Sequence, residues 1–302
     1  MKILRINSSE RGLISPMELN RPAGRFFYIL FILILFAMAL VWLFPMFWMY
    51  TSALKTSSTI VKFPPELIPR TPIWKNYIRA WTELDYPRYF FNTIVLALGA
   101  WGLQMTISTA AAYSFSKLKP LFSNIILFLF LSTLMVPPMA YLIPQYLTVV
   151  RVPLIGVSLL DSWWGVLLPQ AANAFNIFIL KSFFDDIPRD LTDAAIIDGA
   201  SSVQSFIRII VPLSKPVLSV VTIFTLIGTW KEFFWAYLVL TGVPQAQPIM
   251  VALHRMTTAL SYPQPLNIQI AGMAIAATPP LLLFFIFQKQ IIRGITLTGL
   301  KG

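Results

Sequence analysis

Side chains that can do chemistry are few in this chain, and their kinds exclude more than they allow. Of 302 residues none is cysteine and one, His254, is histidine. Thiolate metal sites, disulfides and cysteine nucleophiles are excluded, and a lone histidine has no partner for a multi-histidine site. No Gly-x-x-x-x-Gly-Lys-Ser/Thr run occurs, so the chain brings no phosphate-cradling loop of its own. Acids concentrate in one place, where Asp185, Asp186, Asp190, Asp193 and Asp198 fall within a single short stretch. One charged pair, Lys231-Glu232, falls inside a long apolar segment and is flanked by Trp230 and Trp235. A charge at mid-bilayer costs about 2.5–3.5 kcal/mol on insertion scales. The pair therefore reads either as an ion pair or interfacial anchor, or as the polar lining of a path. Neighbours on a helix point about 100° apart, so the two need not contact each other.

The acidic stretch runs from Asp185 to Leu213. It is too polar to cross a membrane and too regular for a loose loop. Pro188 suits a first helical turn, where its missing N–H is not needed. Asp186 can cap that end, and Asp190 suits the positive end of the helix dipole. Leu191, Ala194 and Ala195 then share a face, and Gly199 supplies a left-handed stop. Ser201 and Gln204 have the spacing of a capping box and start a second helix. Val203, Phe206, Ile207 and Ile210 give it one apolar face, and Pro212 ends it. The expected product is a helix–turn–helix knuckle. Its acids would be repelled by anionic lipid, so its apolar face calls for a protein partner rather than the membrane surface.

What must position this knuckle is a set of membrane helices. The chain is 57% hydrophobic and 12% charged, against about 25% charged in soluble domains. Six stretches come near or above the roughly 20 apolar residues of a helical span: 26–49, 92–115, 121–142, 163–183, 216–240 and 270–288. No ten-residue alternating strands suggest a barrel. The expectation is an all-α polytopic membrane protein: a polar N-terminal segment over 1–25, a membrane domain over 26–302 with its core at about 90–290, and the knuckle between spans four and five. Residues 1–25 are no cleavable signal, because the apolar run after them is too long. Fourteen Lys and Arg lie on the side of the termini and eight on the other, which places both termini in the cytoplasm. The basic connection after span one, with Pro64, Pro65, Pro69 and Pro72, reads as an extended outer loop. The net charge of +11 fits anionic headgroups rather than nucleic acid, since basic residues flank apolar runs. Pro45, Pro137, Pro138, Pro279 and Pro280 mark kinks within spans. An ion-driven transporter would show several buried acids and inverted repeats, and neither is visible.

Asp193-Ala194-Ala195, Asp198-Gly199-Ala200, Phe206, Ile209, Pro212-Leu213 and Pro216 resemble the EAA loop of permease subunits of binding-protein-dependent ATP-binding-cassette importers. Phe63-Pro64-Pro65, Trp74, Asn76-Tyr77, Pro137-Pro138, Pro144, Trp230-Lys231-Glu232-Phe233, Trp235 and the tail (Gln288, Gly294-Ile295-Thr296, Lys301-Gly302) resemble the carbohydrate branch, the maltose-permease-like subunits. An amino-acid or peptide permease is the alternative within the class. One departure is Asp193, where the family usually has glutamate. The resemblance implies that Asp193, Ala194, Ala195, Asp198, Gly199, Ala200, Phe206, Ile209 and Pro212 form the loop that couples to a separate ATPase dimer. ATP and Mg would bind that partner, with no cofactor on this chain and no enzyme activity of its own. It further implies a homologous second permease, an extracytoplasmic binding protein, a prokaryotic cytoplasmic membrane, and a first span against the partner permease. In this setting Trp230, Trp235 and Tyr237 are either sugar-stacking or packing and lipid-anchoring residues.

Overall fold

The structure, a computed structural model, describes residues 22–258 and 264–299, with side chains to residue 290. The expected segment to residue 21 and the tail residues Lys301-Gly302 lie outside the described residues, as do the side chains of 294–296. Helices and short turns make up the described secondary structure, with no strand among the described residues.

Helix α1 (Pro22–Ser52) reaches a mean hydropathy of 2.8 along its most apolar window, which has no buried residue. Its last turn is tied down: the Tyr50 hydroxyl lies 3.0 Å from Thr278 Oγ1, and Ser52 and Ala53 are buried. Helix α2 (Lys75–Glu83) follows the proline-rich connection. Helix α3 (Tyr86–Tyr113) begins with Pro87 in its first turn and runs into a π turn, Ser114–Leu118. It stops where Lys119 turns left-handed and Pro120 follows. Helix α4 (Ser123–Ser132) tightens into a 3-10 turn ending at Met135, and α5 (Leu142–Val150) comes after a break. Helix α6 (Trp163–Leu167) and its 3-10 turn bend by 43° into α7 (Ala174–Asp186). The Asn173 side chain accepts from Asn176 N at 3.0 Å to start α7. Then come α8 (Arg189–Ile197), α9 (Ser202–Ser205) with its π turn Phe206–Ile210 and a last turn Val211–Leu213, and α10 (Lys215–Lys231) at 81° to them. Helices α11 (Phe234–Val239), α12 (Ile249–Thr258) and α13 (Leu266–Gly299) complete the chain.

Three described helices are long and apolar enough to cross a membrane: α1, α3 with its π turn, and α13. The count reaches five if each bent pair is one span. Against the expected six spans, the third stretch, 121–142, holds no helix long enough to cross. The apolar helix there covers Ser123–Met135 only, about 20 Å at about 1.5 Å per residue against a hydrocarbon core of about 30 Å. The residue before a proline is pushed out of helical geometry, and Val136 and Pro137 are extended accordingly. The expected fifth span, 216–240, is also interrupted, with α10 ending at Lys231 and Glu232 extended.

Packing relies on small residues and interhelical hydrogen bonds, as lipid offers no hydrophobic drive between helices. On α13, Ala271, Ala274 and Ala276 are buried, and a Cβ on Gly272 would run into the Tyr86 hydroxyl of α3. A closed triangle joins α3, α7 and α10. Gln104 Oε1 accepts from Asn176 Nδ2 (2.9 Å) and Thr225 Oγ1 (3.1 Å), and Asn176 Nδ2 lies 3.3 Å from Thr225 Oγ1.

Candidate functional site

Two regions hold the candidate residues: the knuckle of α8 and α9, and an open cavity among α3, α5, α6 and the break between α10 and α11.

The knuckle's stop and restart form as its residues dictate, with changes at its ends and on one face. Asp186 belongs to α7 instead of capping α8, and Pro188 stands just ahead of the first helical residue. Asp190 lies in the first turn as expected. The stop is a Schellman arrangement: Ala200 N donates to Ala195 O (2.8 Å) and Gly199 N to Ile196 O (3.0 Å), with Gly199 at φ +84°. A Cβ added to Gly199 would meet nothing within 4 Å, so its need is conformational and not a close approach within this chain. The capping box is present: Gln204 N donates to Ser201 Oγ (3.2 Å) and Ser201 N to Gln204 Oε1 (2.8 Å). Pro212 sits inside the last turn, and the chain bends after it at Ser214.

The expected apolar face of α9 is split. Ile210 is buried and Phe206 half-buried, whereas Val203 and Ile207 are exposed. The π turn is the reason, since its wider coil breaks the three-and-four spacing. Phe206 and Ile210 face the membrane helices. The Phe206 ring lies 4.9 Å from that of Tyr113 on α3, whose hydroxyl donates to Ser202 O (3.1 Å). Lys117 Nζ donates to Ile187 O (2.7 Å) and Ser116 Oγ to Asp185 Oδ1 (2.7 Å). The bonds of Tyr113 and Lys117 fasten the knuckle to the end of α3, and that of Ser116 ties the same end to α7. Its other side is open: Leu191, Ile196, Val203 and Ile207 are exposed and Ile197 is 85% exposed. Asp193, Ala194 and Asp198 are exposed beside them, with Ala195, Ala200 and Ile209 half-buried. The structure thus brings Asp193 through Ala200 together on an open surface, while Phe206 serves the attachment.

The cavity has a volume of about 1010 Å³. Of the four candidates in the α10–α11 region, Glu232 and Trp235 line it and Trp230 and Lys231 do not. Trp230 is a packing residue: it is buried edge-on to Phe90 (5.1 Å), and its indole donates to Ala276 O (3.0 Å). Lys231 is exposed at the end of α10. Glu232 caps α11, accepting from Trp235 N at 2.9 Å. The Trp235 indole is anchored on Gly165 O (3.1 Å). An interrupted backbone at membrane depth belongs where it lines a cavity, and this break does. Sequence reasoning missed other polar residues of the lining, Gln104, Gln145, Gln170 and Asn173. The available signal was Gln104 itself, an amide in the middle of a predicted span. Among the described residues no three His, Asp or Glu side chains cluster as metal ligands.

Comparison with known proteins places the chain among transport components. A family described as "Binding-protein-dependent transport system inner membrane component" matches residues 104–297. The chain is 29% identical to the sulfoquinovosyl glycerol transport system permease protein SmoH of Agrobacterium fabrum (strain C58 / ATCC 33970), covering 86% of this chain and 89% of that one. It is 29% identical to the arabinooligosaccharides transport system permease protein AraQ of Bacillus subtilis (strain 168), over 88% and 92%. The fold matches a chain in the crystal structure of a bacterial ABC transporter involved in the import of the acidic polysaccharide alginate, with a TM-score of 0.79, 23% identity, and coverage of 89% and 98%.

Proposed function

Because the chain belongs to the family of binding-protein-dependent transport system inner membrane components, we propose that it is one of two permease subunits of an ATP-driven importer of carbohydrate. As a permease of this family it is a transport component and not an enzyme. The α8–α9 knuckle is the coupling element. The observation that carries this is its two-sidedness: Tyr113 of α3 and Lys117 of the π turn after it hold one side, and Leu191, Ile196, Ile197, Val203 and Ile207 lie open on the other. A surface of that kind marks an interaction site. Its occupant in this reading is a cleft on a separate ATPase, where ATP and Mg bind. Closure of the ATPase dimer would push the knuckle, and α3 and α10 would receive the movement through Tyr113 and the bend at Ser214.

The cavity lined by Gln104, Glu232 and Trp235 is this chain's share of the translocation path, completed by a homologous permease. Relatives named for sulfoquinovosyl glycerol and arabinooligosaccharides support carbohydrate as cargo. Delivery falls to an extracytoplasmic binding protein, and both termini lie in the cytoplasm of a prokaryotic cell.

The test is affinity purification of this chain from its native cells in mild detergent, followed by mass spectrometry. The expected result is a second permease and an ATPase in the purified complex. Recovery of the folded chain alone would overturn the proposal.

A further inference from the structure

We propose that Gln104 contacts the cargo and that the wall it belongs to selects an uncharged, polyhydroxylated solute over an anionic one. This rests on the reading of the cavity as the translocation path.

Gln104 is 5% exposed, yet its side chain lines the cavity. Its oxygen is used from within the bundle, by Asn176 Nδ2 at 2.9 Å and Thr225 Oγ1 at 3.1 Å. Those two bonds turn the amide oxygen toward Asn176 and Thr225 and leave the nitrogen outside the triangle. Nε2 is left as a donor with no hydrogen-bond partner among the described residues. An unpaired donor is costly to bury, and only the cavity remains to supply its acceptor: water when the path is empty, and a ligand oxygen when it is loaded.

The charge of the wall narrows the ligand. Its lining contains one carboxylate, Glu232, and no Lys, Arg or His. Lys231, next in the chain, is exposed and outside the lining. An anion would meet a carboxylate with no cation beside it, which low-dielectric surroundings make more unfavourable. A neutral sugar meets complementary groups instead. Gln104 donates, the Glu232 carboxylate accepts, and Gln145, Gln170 and Asn173 do either. Trp235 offers ring surface for a sugar's apolar face. The fold does not settle this choice, since the similar proteins include one named for arabinooligosaccharides and one for an acidic polysaccharide.

The experiment uses the complex purified through this chain, with its binding protein added. ATPase stimulation is measured with neutral oligosaccharides of glucose, galactose and arabinose, and with oligo-uronates of equal length and glycerol 3-phosphate. The expected result is stimulation by one or more neutral probes and by no anionic one. In Gln104→Glu, the acceptor oxygen for Asn176 and Thr225 is kept and the donors are lost. Half-maximal stimulation then needs at least tenfold more sugar, with the maximal rate within twofold. A role in packing alone would lower the maximum instead. Stimulation by an anionic probe, stimulation by no neutral probe, or an unchanged half-maximal concentration in Gln104→Glu overturns the inference. An absence of ATPase from the purified material overturns the functional reading as well, and is seen before any sugar is added.

Discussion

Substitution of Gly199 separates conformational need from steric need. Its φ of +84° is left-handed, and a Cβ there costs about 1–2 kcal/mol. A mutant can keep the turn and carry that strain. Otherwise it gives up the two bonds that close the turn, from Ala200 N to Ala195 O and from Gly199 N to Ile196 O, each worth about 0.5–1.5 kcal/mol net. The two routes have similar cost, so Gly199→Ala should lower the docking-competent fraction of the knuckle about 5–30-fold. Docking affinity falls by the same factor. Gly199→Val should be worse, since branching at Cβ narrows backbone freedom further. Gly199→Asn should be mildest, because asparagine tolerates the left-handed region. The assays are ATPase retention on purification and uptake in cells, with membrane insertion as control. Wild-type retention and uptake in both Ala and Val variants would refute the reasoning. If Asn is as damaging as Val, strain is not the cause. The partner must then press against the Cα, because this chain places nothing within 4 Å of that Cβ.

Asp193→Ala should weaken ATPase retention while leaving insertion intact, and unchanged assembly with unchanged uptake would remove this carboxylate from the coupling surface. Tyr113→Phe keeps the ring on Phe206 and loses the 3.1 Å bond to Ser202 O, for a loss of about 1 kcal/mol. Tyr113→Ala loses both, so the order of uptake should be wild type, Phe, then Ala. Gly272→Val drives a side chain into the Tyr86 hydroxyl and should destabilise the α3–α13 pair by about 1–3 kcal/mol, read as a lower unfolding temperature in detergent.

The knuckle was the most legible part of this chain, because its grammar is local. Gly199, Ser201 and Gln204 act on backbone groups within a few residues, so their spacing alone specifies the stop and restart seen at φ +84° and in the capping box. Membrane helices were legible as apolar mass but not as uninterrupted spans. Pro137 marked a kink, but hydropathy cannot see that the helix ends there instead of bending, or that Glu232 turns its side chain to cap α11. The role of each aromatic was hidden for a related reason. Trp230 and Trp235 stand five residues apart in one motif, yet the break between them sends the first into the packing of Phe90 and the second to the cavity wall. Gln104 was overlooked because its significance lies in Asn176 and Thr225, each distant along the chain.

The two π turns, Ser114–Leu118 and Phe206–Ile210, flank the Tyr113–Phe206 contact. A π turn holds one residue more than the α-helix would need between the same flanks. Loss of one residue there can be absorbed by a return to α geometry, leaving the side chains on either side in register. The same deletion within α10 turns everything beyond it by about 100°. The joint between knuckle and membrane bundle is thus where chain length can change by one without resetting the helices, so this junction carries tolerance to deletion that the helices it joins do not.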